Sequence, residues 1–171
     1  LNPESVQISR LSLWLQTANP GRPLTALDHS IRTGNSLIAD PAVAGDRAFD
    51  WHEAFPEAFA DGGFDVVVGN PPYVFAREKI LDVEKSYYTS RYKSAQYQIN
   101  TYLLFIEQTI NLLSKSGLYG LIVPNAWLMV SSAKGLRGLV LNESSVHEII
   151  NLSGFSFENV NVETIIIIAQ K

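Results

Sequence analysis

The sequence predicts an α/β fold built on a mostly parallel sheet, and three observations carry that expectation. Phe64-Asp65-Val66-Val67-Val68-Gly69 is a near-continuous run of β-branched residues, the pattern of a strand covered on both faces. Leu118 to Val123 is a second such run, and Tyr97 to Ser114 between them reads as a long amphipathic helix. Strands that alternate with helices across short connections favour parallel pairing. The chain has 171 residues, 46% hydrophobic and 18% charged, enough for one domain with a real core and no metal or disulfide staple.

The elements follow in order. Pro3 opens a helix with Val6, Ile8, Leu11, Leu13, Trp14 and Leu15 as its broad apolar face, stopped at Asn19-Pro20-Gly21. Leu24 to Ile38 reads as a short extended stretch around Ile31 ending in Thr33-Gly34-Asn35-Ser36, and Asp40 to Asp46 as a loop. Asp50 caps a short helix from Trp51 to Phe59, with Pro56 breaking it. After the first strand, residues 74–99 carry neither helical nor strand period and read as an extended loop. Pro124 closes the second strand, and Gly135 and Gly138 weaken a helix from Ala126 to Leu141. Val146 to Leu152 and Val162 to Ala169 complete the strands. No repeat or linker interrupts the chain, which reads as a single domain.

Composition removes several function classes. Cysteine is absent, so disulfide frameworks, Cys-ligated zinc and thiolate nucleophiles are excluded. The three histidines, His29, His52 and His147, show no ligand spacing, and no metal is expected. Thirteen Lys+Arg stand against 17 Asp+Glu, so any contact with nucleic acid must rest on a local patch. No apolar run approaches 18 residues and no signal peptide is seen, so no membrane partner and a cytoplasmic location are expected. The start at Leu1-Asn2-Pro3 rather than Met suggests a piece of a longer protein.

The informative point is where the first strand runs out, in Asn70-Pro71-Pro72-Tyr73. Ligands of open α/β sheets bind at the carboxyl ends of strands. The two prolines fix φ and donate no N–H, so the carbonyls of Asn70 and Pro71 can be held outward. Asn70 adds a side-chain acceptor, and Tyr73 a planar face for a flat ring. Such a set could grip both hydrogens of an –NH₂ group. A rigid proline turn after a core strand is the plain alternative. The full tetrapeptide arises by chance in a chain this long about once in a thousand.

With Phe55-Pro56-Glu57, Phe59 and the run from Gly62-Gly63-Phe64 through Asn70-Pro71-Pro72-Tyr73-Val74, the chain resembles the amino-methylating DNA methyltransferases of the adenine-N6 type. Within them it is most similar to the large restriction–modification and phage-defence methylases. Leu1-Asn2-Pro3 with Leu11-Ser12-Leu13-Trp14-Leu15, and Ile122-Val123-Pro124-Asn125-Ala126-Trp127-Leu128, extend the resemblance over the whole chain. It implies a Rossmann-like S-adenosylmethionine-dependent methyltransferase fold lacking its first strand or strands. It also implies transfer of a methyl group to the N6 amine of an adenine flipped out of double-stranded DNA, in a prokaryotic cytoplasm.

Carried over residue by residue, the resemblance makes Asn70 and the Pro71 carbonyl the acceptors of the adenine amine. Tyr73 becomes the stacking platform, with Phe157 on the opposite face of the base and Phe155 as its competitor. Leu1 and Pro72 would flank the cofactor's adenine, Asn35 would reach its amine with Ser36 assisting through the backbone, and Phe105 would line the methionine end. A core role for Phe105 is equally consistent with its helix position. The Gly-rich cofactor turn would lie upstream and a target-recognition domain downstream, so residues 1–171 are expected to be a partial catalytic domain, inactive alone. A specificity or nuclease module, separate or fused, is the expected protein partner.

Arg77, Lys79, Lys85, Arg91 and Lys93, interleaved with Tyr87, Tyr88, Tyr92 and Tyr97, suggest a DNA-facing loop after the motif. Glu78, Asp82 and Glu84 leave that segment only +2, and a solvated loop with tyrosines packed beneath is the alternative. Glu158 and Glu163 have no spacing that makes either one a base. Cytosine-C5 methylation needs a thiolate and is excluded. The competing functions are protein glutamine-N5 methylation, which uses the same tetrapeptide, and a non-catalytic DNA-binding subunit that keeps a methylase fold.

Overall fold

The computed structural model describes residues 3–18, 27, 29–73, 80–96, 99–152 and 162–171. By its contacts the chain divides into two compact units, Leu1–Pro56 and Glu57–Lys171.

The first unit holds helix α1 (Pro3–Thr17), helix α2 (Pro41–Ala44) followed by a 3-10 turn (Gly45–Arg47), and helix α3 (Trp51–Ala54). Of the apolar face expected on α1, Val6 is buried while Ile8, Leu11, Leu13 and Leu15 are exposed in this chain. The expected extended stretch lies partly outside the described residues; from residue 29 onward it is turns, with one bridge from Asn35 to Ala48. Asp40 to Asp46 is helical rather than a loop. The Asp40 carboxylate accepts the Ala42 N–H at 2.8 Å and Pro41 occupies the first turn, where a missing N–H costs nothing. Phe49, Trp51 and Phe55 cluster, Trp51 stacking on Phe55 at 5.8 Å and meeting Phe49 edge-on at 5.0 Å. The break at Pro56 is present, with helix α4 (Pro56–Ala60) starting there.

The second unit is built on one four-stranded sheet. Its strands are β1 (Phe64–Gly69), β2 (Leu113–Pro124), β3 (Ser145–Asn151) and β4 (Thr164–Gln170), in the order β1-β2-β4-β3. Helix α5 (Asp82–Arg91) and helix α6 (Thr101–Leu112) lie in the crossover from β1 to β2; helix α7 (Lys134–Glu143) joins β2 to β3. Gly63 leads into β1 with φ at 125°, and a Cβ there would sit 2.6 Å from the Leu112 carbonyl, so only glycine fits under the α6–β2 junction.

Three of the four strands, β1, β2 and β3, run in one direction as expected, and the sheet is mixed through β4 alone. β1 and β2 pair in parallel, but β4 runs antiparallel to both β2 and β3. The connection from β3 to β4, residues 152–163, is barely long enough for a crossover, and β4 turns straight back. Ile165 and Ile167 are buried between the neighbouring strands. The core beneath joins Leu103, Ile106 and Ile110 of α6 to Leu121 and Val123 of β2, Leu136 and Val140 of α7, and the buried indole of Trp127.

Two further boundaries differ from the pattern reading. Residues 82–91 form α5 rather than loop: Glu84 Oε2 accepts the Leu81 N–H at 3.2 Å and Lys85 pairs with Asp82 at 3.1 Å. Only Tyr88 of α5 is buried, so no period marked it. The helix expected over Ala126 to Leu141 is two 3-10 turns (Asn125–Leu128 and Ser131–Ala133) before α7 begins.

Candidate active site at the carboxyl end of β1

The tetrapeptide Asn70-Pro71-Pro72-Tyr73 leaves β1 directly after its last pairing, Gly69 opposite Leu121. Asn70 and Pro72 are exposed, Pro71 is buried and Tyr73 is half-buried. Prolines cannot donate, so the turn is held through its carbonyls and its tyrosine. Thr101, the first residue of α6, donates its hydroxyl to the Pro72 carbonyl at 2.7 Å. The Pro71 carbonyl has no hydrogen-bond donor among the described residues.

Tyr73 bends back on its own motif. Its hydroxyl lies 2.9 Å from Asn70 Oδ1 and 3.1 Å from the Ile122 carbonyl on β2. Its ring meets Tyr102 edge-on at 6.3 Å and packs on the core. Burial pushes the Tyr73 phenol above its usual range, so it remains a donor at neutral pH. Burial raises Tyr102 beneath it to about 12.

The neighbouring strand end is braced from β4. Asn125 donates its backbone N–H to the Glu163 carbonyl at 2.9 Å and its side-chain amide to Glu163 Oε2 at 2.7 Å. Arg137 Nη1 caps the following turn at the carbonyls of Trp127 and Val130, at 2.6 and 2.8 Å. Farther along the crossover, buried Glu107 of α6 accepts the N–H groups of Lys93 and Ser94 at 2.9 and 2.8 Å. That carboxylate pins the turn after α5 onto α6.

The Eco57I restriction-modification methylase family matches this chain over residues 1–157. The chain belongs to that family. It is 33% identical over 153 residues to the type II restriction enzyme and methyltransferase RM.Eco57I of Escherichia coli, covering 86% of this chain and 15% of that protein. It is 36% identical over 110 residues to the type II methyltransferase M.BstVI of Geobacillus stearothermophilus, covering 64% of this chain and 19% of that protein. The chain thus spans less than a fifth of the length of either relative. Its structure matches the M protein of the type I restriction enzyme EcoKI over 100% of this chain and 30% of that one, with a TM-score of 0.65 at 20% identity. The fold is that of the class I S-adenosylmethionine-dependent methyltransferases.

Within this Eco57I-family chain, the remaining candidate residues fall in different places. Phe105 is half-buried on α6, among neighbours that are buried. Asn35 and Ser36 lie in the first unit, where Asn35 Oδ1 accepts the Leu37 N–H at 3.2 Å and the Ser36 carbonyl accepts the Trp51 indole N–H at 3.0 Å. Leu1, Arg77, Lys79, Phe155 and Phe157 lie outside the described residues. Lys85 is paired with Asp82, whereas Arg91 and Lys93 are exposed. Tyr88 and Tyr92 are buried, and burial pushes the Tyr92 phenol well above its usual range. Sequence reasoning missed Thr101, Ile122 and Glu107. Thr101 left one signal, a hydroxyl residue opening the helix that follows the motif.

Proposed function

We propose that the chain forms the catalytic part of a DNA methyltransferase that methylates the N6 amine of an adenine flipped out of the duplex. The observation that carries this reading is the exposed Asn70 with its proline-fixed turn at the end of β1, held from behind by Thr101 and Tyr73. An aromatic amine has its lone pair delocalised into the ring. Acceptors at Asn70 Oδ1 and the Pro71 carbonyl, each taking one N–H, favour the tetrahedral nitrogen and aim its lone pair. The ring of Tyr73 supports the base by stacking, with Phe157 assigned to the other face by the family resemblance.

S-adenosylmethionine supplies the electrophilic methyl group when bound. Features of the assigned residues, taken unit by unit, support this reading. Phe105 is an aromatic side chain left half-buried in a buried helix, which suits a sulfonium, and Pro72 shows its ring to solvent. Asn35 Oδ1 and the Ser36 carbonyl each accept one hydrogen bond and keep a second lone pair for an adenine amine. Arg91 and Lys93 are assigned to the DNA backbone. Double-stranded DNA is the substrate, and a nuclease or specificity module, separate or fused, is the expected partner in a prokaryotic cytoplasm. Among the described residues no helix is long and apolar enough to cross a membrane.

The test follows the label. The full-length protein, given methyl-labelled S-adenosylmethionine with duplex DNA and a protein extract, should place label in N6-methyladenine after digestion. Label in glutamine would replace this reading with protein methylation. Absence of label with cofactor bound would point to a missing DNA-recognition partner, and failure to bind cofactor to a non-catalytic DNA-binding subunit.

A further inference from the structure

The hydroxyl of Tyr73 has one hydrogen and two acceptors within reach, Asn70 Oδ1 at 2.9 Å and the Ile122 carbonyl at 3.1 Å. It can donate fully to only one of them. The other contact then sets two oxygens face to face with no hydrogen between. Ile122 lies one residue beyond Leu121, the last residue of β2 paired with β1. Its carbonyl therefore needs a donor where the neighbouring strand has ended, and the phenol is that donor.

A carboxamide has a donor end and an acceptor end that exchange on a half-turn about χ2. After such a turn, Asn70 Nδ2–H donates to Tyr73 Oη and Tyr73 O–H donates to the Ile122 carbonyl. Both short contacts are then satisfied, and Oδ1 takes the exposed side of the carboxamide. The orientation matters to the reaction above, on which this inference rests. With Nδ2 outward, Asn70 would meet an amine donor to donor; with Oδ1 outward, it accepts.

We propose that the Tyr73 hydroxyl is the positioning group of Asn70, a relay from the end of β2 that selects the acceptor-outward carboxamide. Tyr73 would thus act through two separate features. Its ring supports the base, and its hydroxyl sets the polarity of the neighbouring amide.

The experiment uses the full-length protein and the DNA sequence it methylates, located by mapping N6-methyladenine in plasmid DNA free of it. Tyr73→Phe keeps the ring and removes the relay. The expected result is a kcat at least tenfold lower with KM for DNA unchanged, and an undiminished fluorescence rise from 2-aminopurine at the target position. A melting temperature lowered by no more than about 5 °C, the cost of one lost hydrogen bond, confirms the fold. Asn70→Asp has two like oxygens that need no orienting, so adding Tyr73→Phe to it should cost less than threefold.

A Tyr73→Phe kcat within twofold of wild type overturns the proposal, as does an equal penalty in both backgrounds or a loss of the 2-aminopurine signal. If Asn70→Asp is too slow to follow, the split between kcat and KM in Tyr73→Phe decides alone. If Asn70→Ala also leaves methylation intact, the amine-methylation reading itself has failed. If Asn70→Ala abolishes methylation while Tyr73→Phe changes nothing, only the relay falls.

Discussion

At the carboxyl end of β1 an asparagine precedes a proline pair, and at the carboxyl end of the adjacent β2 another asparagine follows a proline. Asn125 is tied down at both backbone and side chain, its N–H on the Glu163 carbonyl and its amide on the Glu163 carboxylate. That pair fastens the end of β2 to the start of β4 above the buried indole of Trp127. Asn70 is exposed, and the side-chain partner it has is a hydroxyl that can turn to Ile122 instead. The same residue type on parallel neighbouring strands thus serves structure in one place and stands exposed beside a single hydroxyl in the other. What separates them is the company of each, a charged carboxylate against a neutral phenol with a second acceptor.

Variants of the two asparagines should therefore separate activity from stability. Asn70→Ala in the full-length protein should lower methyl transfer by about a thousandfold or more, with the melting temperature unchanged. A loss below tenfold would make Asn70 a bystander. Trp127→Ala, beneath the other asparagine, should destabilise by about 3–5 kcal/mol in urea titration, because its side chain is 2% exposed within the core. Thr101→Val removes the hydroxyl holding the Pro72 carbonyl, and should cost about 1 kcal/mol of stability while slowing methyl transfer several-fold. Asn125→Ala should cost about 1 kcal/mol and leave the methyl-transfer rate within twofold.

The tyrosines under the first strand end give the pH test. Burial raises Tyr102 to about 12, so the folded state holds its proton at pH values where the unfolded chain, near 10, gives it up. That stability is fully present below pH 10 and is lost as pH rises towards 12. The slope is about 1 kcal/mol per pH unit for such a group. Urea midpoints at pH 9, 10 and 11 should fall in that order, and Tyr102→Phe should flatten the fall.

The same contrast explains what was legible in the sequence. β1 and β2 announced themselves through β-branched runs, and the tetrapeptide through residues whose chemistry is readable one at a time. The reversal of β4 was not legible, since Ile165 to Ile168 fits a buried strand of either direction and only the connection decides. Helix α5 was missed because one buried residue, Tyr88, makes no period, while its stability comes from Glu84 and from Glu107, twenty-three residues later. The bracing of the site by Thr101 and Ile122 joins residues far apart in the chain, and one of the two partners is a backbone carbonyl. Only the hydroxyl of Thr101 at the start of its helix left a mark in the side-chain pattern.

The central claim is that the exposed asparagine after β1, rather than its braced neighbour after β2, holds the amine that is methylated. Its most direct measurement is N6-methyladenine in plasmid DNA from a host without adenine methylation that expresses the full-length protein, Asn70→Ala or Asn125→Ala. The account predicts N6-methyladenine at one sequence for wild type and Asn125→Ala, and none for Asn70→Ala. Equal N6-methyladenine from Asn70→Ala, or its absence from all three despite folded protein, would contradict it.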